Sequence, residues 1–193
     1  MSWIRLAGIV VLSTVGLTGC AGILVTGAAT GIGVAHDRRT TGTVVDDQTI
    51  ELKVYDLLNR QLPPGNLIST TCYNGAVLLT GEVTSPQVRL QAEQITRSVE
   101  PPVREVYNEL VVGPPRSLSA QGNDGVLTTK VKAALFSITN IPDFDPSRVT
   151  VVTSQGVVYL MGLVRPAEAD AATRVASQVG GVRQVVTIFE YIH

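Results

Sequence analysis

The stretch "NGAVLLTGEV", Asn74 to Val83, aligns without a gap with "QGVVYLMGLV", Gln155 to Val164, 81 positions later. Each copy opens on a pair, Asn74-Gly75 or Gln155-Gly156, that tolerates the positive φ a tight hairpin needs. A second β-rich run ends just before each pair, so the spacing predicts Leu67–Tyr73 with Val77–Thr80, and Val149–Ser154 with Val157–Met161. The likeness extends outward. "DDQTIELKVYDLL" from Asp46 matches "NDGVLTTKVKAAL" from Asn123, and "VREVYNELVV" from Val103 matches "VRQVVTIFEY" from Val182. The offset drifts from 77 to 81 to 79, so length differences fall between elements, where loops absorb them. The chain contains an internal duplication.

Each copy reads alike. Asp46 or Asp47, and Asn123 or Asp124, are candidate helix caps, since their carboxylate or amide oxygens can accept backbone N–H bonds. The helix behind them carries Ile50, Val54, Leu57 and Leu58, an i, i+4, i+7, i+8 stripe; its twin carries Leu127, Val131, Ala134 and Leu135. After the hairpin, Pro86 or Pro166 stands at the first turn of a second helix, with Val88, Ala92, Ile95 and Val99 as its apolar face in the first copy. Glu105–Val112 or Gln184–Ile192 supplies the last strand. The order is αββαβ, and the fold class is α+β: two tandem modules, each a three-stranded mixed sheet covered by two helices. The hairpin is antiparallel, and the helix crossover brings the last strand in parallel. A hairpin alone is marginal, so the helices must cover one sheet face. The first module spans 46–112 and the second 123–193, joined by "GPPRSLSAQG", 113–122, a linker stiffened by its Pro pair.

The N-terminus reads differently. "MSWIRLAGIVVLSTVGLTGC" has Arg5, then an apolar Leu6–Leu17 run, shorter than the roughly 20 residues that span a bilayer. Thr18, Gly19 and Cys20 follow, which is secretory signal architecture. Leu17-Thr18-Gly19-Cys20 resembles the lipobox of bacterial lipoproteins. That resemblance implies a signal peptide over 1–19, Cys20 as the lipid-attachment residue, and a membrane-proximal linker over 20–45. Acyl chains anchor by burying methylenes at about 0.8 kcal/mol each. "ILVTGAATGIGVAHD", Ile23–Asp37, imitates the strand–turn–helix of a nicotinamide site, with Thr26–Gly33 as its loop. The imitation fails: only Ala21–Val25 precede the loop, no Tyr is followed four residues later by Lys, and βαβ alternation is absent.

Composition removes other classes. Fifteen Lys and Arg against 16 Asp and Glu leave no basic footprint for nucleic acid. With Cys20 acylated, Cys72 has no intrachain partner and reads as a small buried apolar residue. His36 and His193 stand in no nucleophile motif. "PDFDPS" offers Asp143 and Asp145, but Ser154 occupies the twelfth position where a calcium loop needs Glu. No zinc spacing and no phosphate loop occur. The expectation is a protein that is not an enzyme, without metal or cofactor, and that works by binding.

An αββαβ module with a hairpin Gly, "V-x-L-x-G-x-V" in the second strand (Val77–Val83, Val158–Val164) and "V-R-x-V" before the last strand resembles the BON domain. Two such modules behind a lipobox are similar to the dual-BON-domain lipoproteins of Gram-negative bacteria, over nearly the whole chain, including "VYNE" at Val106–Glu109, "TTKV" at Thr128–Val131 and "LMGLV" at Leu160–Val164. The resemblance implies an outer-membrane protein, lipid-anchored and facing the periplasm, that binds anionic phospholipid of the phosphatidylglycerol type and supports envelope integrity. Ala21 after the cysteine, rather than Asp, agrees with outer-membrane sorting in that family. The family's membrane contact, the first helix of the second module, carries over onto Gly125, Val126, Leu127, Thr128, Lys130 and Lys132. Apolar residues there would enter the acyl boundary while each Lys attracts lipid phosphate by about 1 kcal/mol. Val126 departs from the family pattern, which has an aromatic anchor at that position. Leu127 also belongs to the core stripe, and Phe136 is a candidate substitute contact. The alternative is an adaptor engaging outer-membrane assembly or cell-wall remodelling proteins through sheet edges or helix faces.

Overall fold

The first module runs α1 (Thr41–Gln61), β1 (Leu67–Tyr73), β2 (Ala76–Val83), α2 (Pro86–Arg97) and β3 (Glu105–Val112). The second repeats the order with α3 (Leu118–Leu135), β4 (Thr150–Ser154), β5 (Val157–Val164), α4 (Pro166–Ser177) and β6 (Gln184–Tyr191), adding a 3₁₀ turn at Pro146–Arg148 before β4. The computed structural model describes residues 37–193, so Cys20 and Thr26–Gly33 lie outside the described residues. No described helix is long and apolar enough to cross a membrane.

Both modules form the expected α+β unit, a mixed sheet ordered β1-β2-β3 or β4-β5-β6. The hairpins are antiparallel and the strands on either side of α2 and α4 are parallel. Asn74 (φ 50°) and Gly75 (φ 75°) both take positive φ, as do Gln155 (φ 53°) and Gly156 (φ 74°), which is the turn whose twist matches the flanking strands. The central strands outrun the expected Thr80 and Met161, continuing through Gly81 and Gly162 to Val83 and Val164. Those glycines permit a close crossing: a Cβ on Gly81 would lie 2.0 Å from the Leu67 carbonyl oxygen, and one on Gly162 2.6 Å from that of Arg148.

The helix starts correct the sequence reading. Thr40 and Ser117 are the N-caps, their hydroxyls accepting from the amides of Thr43 and Ala120 at 3.1 and 3.2 Å. The helices therefore begin well before Asp46 and Asn123, and residues 118–122, assigned to the linker, are helical. The early turns carry no core residue, so apolar periodicity is silent about them, while a hydroxyl three residues ahead of a free amide is enough to start a helix. The stripes themselves stand. Ile50, Val54 and Leu58 are buried, with Leu57 packed at their margin, and Leu127, Val131 and Leu135 are buried in the twin. Val99 is buried just past the end of α2.

The sheets have a second covered face. Every residue of β2 is buried, and every residue of β5 except its first. Val77, Leu79 and Val83 join Ile50 and Val54 of α1 and Val88 and Ala92 of α2 in one core. Val158, Leu160 and Val164 join Val131, Leu135 and Ala172 in another. The alternate residues meet across the modules: Tyr73, Ala76 and Leu78 pack with Tyr159, Met161, Leu163 and Ile188 in a third core. The two sheets thus lie back to back, and the helices form the outer layers. All three cores fall after residue 49, so a chain beginning at Asp37 keeps each of them.

Candidate binding surface and the charged seam

Asp47 and Asp124 do for the hairpins what they were expected to do for the helices. Buried within α1, the Asp47 carboxylate accepts from the Asn74 and Gly75 amides at 2.6 and 2.7 Å, and from Cys72 Sγ at 3.3 Å. Asp124 accepts from the Gln155 and Gly156 amides, each at 2.9 Å. Either aspartate therefore fixes a turn whose φ values expose its amides. Each is also met by an arginine eight residues upstream. Arg39 Nη1 donates to Asp47 at 2.8 Å and its guanidinium lies 3.8 Å over the Tyr73 ring. Arg116 Nη1 donates to Asp124. Burial first, then the Asp47 charge, pushes the Cys72 thiol well above its ordinary range, so it stays a protonated core donor.

Arg116 and Arg38 also tie the modules together. Arg116 reaches Glu82, buried on β2 of the first module, with Nε–Oε1 at 2.7 Å. Gln155 of the second module donates to the same carboxylate at 2.6 Å. Arg38 crosses in the other direction, donating to both Glu168 oxygens at 2.6 and 2.8 Å and to the Leu163 carbonyl at 2.8 Å. Burial raises the Glu168 carboxyl, but the hydrogen bonds from Arg38 and from the Arg165 amide outweigh it and hold the group below its usual value. Asn74 and Arg104 both donate to Glu190, at 2.7 and 2.5 Å. The Leu163 amide donates to the Tyr73 hydroxyl at 3.3 Å. Tyr159, buried beside Glu109 of the other module, is pushed up to about 12, by burial first and then by that negative charge. None of these seam residues was singled out from the sequence for this role. The one visible signal was the repeated Arg-to-Asp spacing, Arg39 to Asp47 and Arg116 to Asp124.

The residues carried over from the family lie on α3, and the fold divides them. Gly125, Val126 (55% exposed), Lys130 and Lys132 face outward. Leu127, 7% exposed, is a core residue, and Thr128 is half-buried with its hydroxyl donating to Thr153 Oγ1 at 2.8 Å. The helix period separates the two sets, since Leu127 and Val131 share the inner face. Phe136, 71% exposed at the end of α3, extends the apolar surface about 15 Å beyond Val126. A groove of about 450 Å³ runs beside this face, bounded by Val126 and Lys130 on α3, by the Gln155–Gly156 turn, and by Gly180, Gly181 and Arg183 before β6. Among the described residues no group of three or more His, Cys, Asp or Glu is placed to hold a metal ion. Asp145 instead accepts from the Ser147 amide and hydroxyl at 2.9 and 2.7 Å.

Two αββαβ units of this geometry, with glycine-crossed central strands, define a class. The chain belongs to the BON-domain family, whose model ("BON domain") matches residues 46–114 and 123–191. Over its full length it is 36% identical to the outer membrane lipoprotein DolP of Haemophilus influenzae, a match covering 100% of this chain and 98% of that one. It is 34% identical to the 21 kDa hemolysin of Actinobacillus pleuropneumoniae, over 81% of this chain and 79% of the relative. The osmotically-inducible protein Y of Escherichia coli is 32% identical, over 83% and 80%. The resemblance read from the sequence, a dual-BON-domain lipoprotein of the outer membrane, therefore stands.

Proposed function

We propose that this lipoprotein, attached through Cys20 and facing the periplasm, binds anionic phospholipid of the phosphatidylglycerol type through its second BON domain and so supports envelope integrity, acting by binding rather than catalysis. One observation carries the choice of module. On α3 every exposed charge is basic, Lys130 and Lys132, beside exposed Val126 and Phe136. On α1 the exposed apolar residues Val45, Leu52 and Tyr55 stand among exposed charges of both signs, Asp46 and Asp56 against Lys53 and Arg60, so that face offers an anionic surface no net attraction. A basic face with apolar tips suits an interface where phosphates lie above acyl chains.

The test is vesicle binding by the chain from Asp37 onward, which keeps Arg38, Arg39 and all three cores. It should sediment with phosphatidylglycerol vesicles and leave phosphatidylcholine vesicles alone, and Lys130→Glu with Lys132→Glu should remove the difference. Equal retention on both vesicle types contradicts the reading. A second reading, an adaptor for envelope proteins, draws support from the exposed end of the edge strand β3, where Val111 and Val112 are about half exposed. An adaptor predicts a cross-linked partner that survives the double Lys replacement and disappears when Val111 is changed to Lys.

A further inference from the structure

Duplication allows the cations of the two modules to be compared position by position. In the first, Lys53 Nζ donates to the Glu100 carbonyl at 2.6 Å, and Arg104 donates to the Asn74 carbonyl at 3.1 Å and to Glu190 at 2.5 Å. Both are engaged. The repeat aligns these residues with Lys130 and Arg183. Lys130 makes no hydrogen bond or ion pair among the described residues, and Arg183 makes one, from Nη1 to the Gln155 carbonyl at 3.0 Å, with no carboxylate. The two cations of the second module border one groove of about 450 Å³, a size within the roughly 300–1,000 Å³ of small-ligand sites.

The groove's construction favours an anion of modest size. Gly156 lies directly under the arginine stem, where a Cβ would come within 2.9 Å of Arg183 Cδ, so the turn glycine sets the guanidinium low over the cleft. Asp124 also borders the groove, but its oxygens are taken by the two turn amides and by Arg116. Val126 gives an apolar lip on the α3 side. A planar fork facing an ammonium across a glycine-lined cleft matches a phosphodiester, whose paired oxygens the fork can take together.

We propose that this groove is the headgroup subsite of the second module, with Arg183 and Lys130 clasping the phosphodiester of an anionic glycerophospholipid while Val126 meets its glycerol and acyl portion. The subsite rests on the lipid reading above and adds a residue from the far end of the module. The probes are short-chain phosphatidylglycerol, short-chain phosphatidylcholine and inorganic phosphate, titrated onto the ¹⁵N-labelled chain from Asp37, with phosphatidylglycerol vesicles to measure affinity. Short-chain phosphatidylglycerol should move the amide signals of Gly156, Gly180 and Gly181, and short-chain phosphatidylcholine should move them less. Arg183→Gln should weaken vesicle binding about fivefold, the weight of one basic residue at an anionic surface. Arg183→Lys, which keeps a stem over Gly156 and a charge, should recover most of it, and Lys53→Gln should change nothing. Val126 and Lys130 signals that move while the three glycines stay still, with Arg183→Gln binding like the parent, overturn the subsite and leave the α3 surface intact. No preference for phosphatidylglycerol vesicles by the parent chain overturns the reading beneath it. Inorganic phosphate moving the same glycines as strongly as the lipid overturns the headgroup assignment in favour of a free-anion site.

Discussion

Tyr73 and Ser154 occupy the same place at the end of the first hairpin strand, and Glu82 and Leu163 the same place near the end of the central strand. All four are buried. At both places the first module puts a polar group into the seam and finds a donor there: Tyr73 accepts from the Leu163 amide, and Glu82 takes the Arg116 guanidinium and the Gln155 side-chain amide. Two copies of one scaffold packed back to back are not obliged to stay alike. A seam between identical faces would place like charges opposite one another, which costs energy in a buried site. Divergence at a few positions replaces that repulsion with pairs. The same divergence decides which module keeps its cations available, since Arg104 is tied to Glu190 while Arg183 has no carboxylate.

Backbone crossings test how far the likeness extends. Gly81→Ala should cost about 4 kcal/mol, at the upper end for single replacements, because its Cβ would meet the Leu67 carbonyl from a positive φ of 119°. Gly162→Ala, with a longer approach to Arg148 and without a positive φ, should cost roughly half as much. Urea unfolding of the two variants measures the pair, and equal losses would show that the two crossings are equivalent after all. The turn-holding aspartates come next. Asp47→Ala and Asp124→Ala should each cost about 3 kcal/mol, since each strands two turn amides and an arginine. A loss confined to one module would break the symmetry at the place where geometry says it holds.

Arg38→Ala isolates the pairing that runs from the chain ahead of α1 into the second module. It should cost about 2 kcal/mol by leaving Glu168 buried without its partner. The sign of the pH dependence follows from the lowered Glu168 carboxyl. Its stabilisation is complete above the ordinary value of 4.5 and is lost as pH falls through the lower folded-state value. Melting curves of the parent and Glu168→Gln should therefore converge in acid and separate above it. The smallest effect concerns the membrane. Val126→Trp should tighten vesicle binding about fivefold by supplying an interfacial aromatic, whereas Thr49→Trp at the matching position of α1 should not. Flotation with phosphatidylglycerol vesicles distinguishes the two.

Much of the fold was legible because it is written in local patterns. Asn74-Gly75 and Gln155-Gly156 define their turns by backbone tolerance alone, and Ile50, Val54 and Leu58 recur at the helix period whatever they pack against. The helix starts were misplaced because Thr40 and Ser117 lie ahead of any apolar residue, and Asp47 and Asp124 looked like caps because an aspartate before an apolar stripe often is one. Of the residues carried over onto α3, Gly125, Val126, Lys130 and Lys132 lie exposed on the helix surface, while Leu127 and Thr128 turn inward with the stripe beside them. Arg183 could not be joined to Lys130 from spacing, since only the fold brings the loop before β6 against α3.

The sequence by itself determined that this protein is a duplicated αββαβ scaffold, because repeats, turn pairs and helical stripes are short-range features of the chain. The tertiary structure alone decided that the two sheets lie back to back, which carboxylates answer Arg38 and Arg116, and which cations stay without an acidic partner. Those outcomes depend on residues far apart in sequence meeting across a buried face, where desolvation makes each unpaired charge costly and so selects one arrangement.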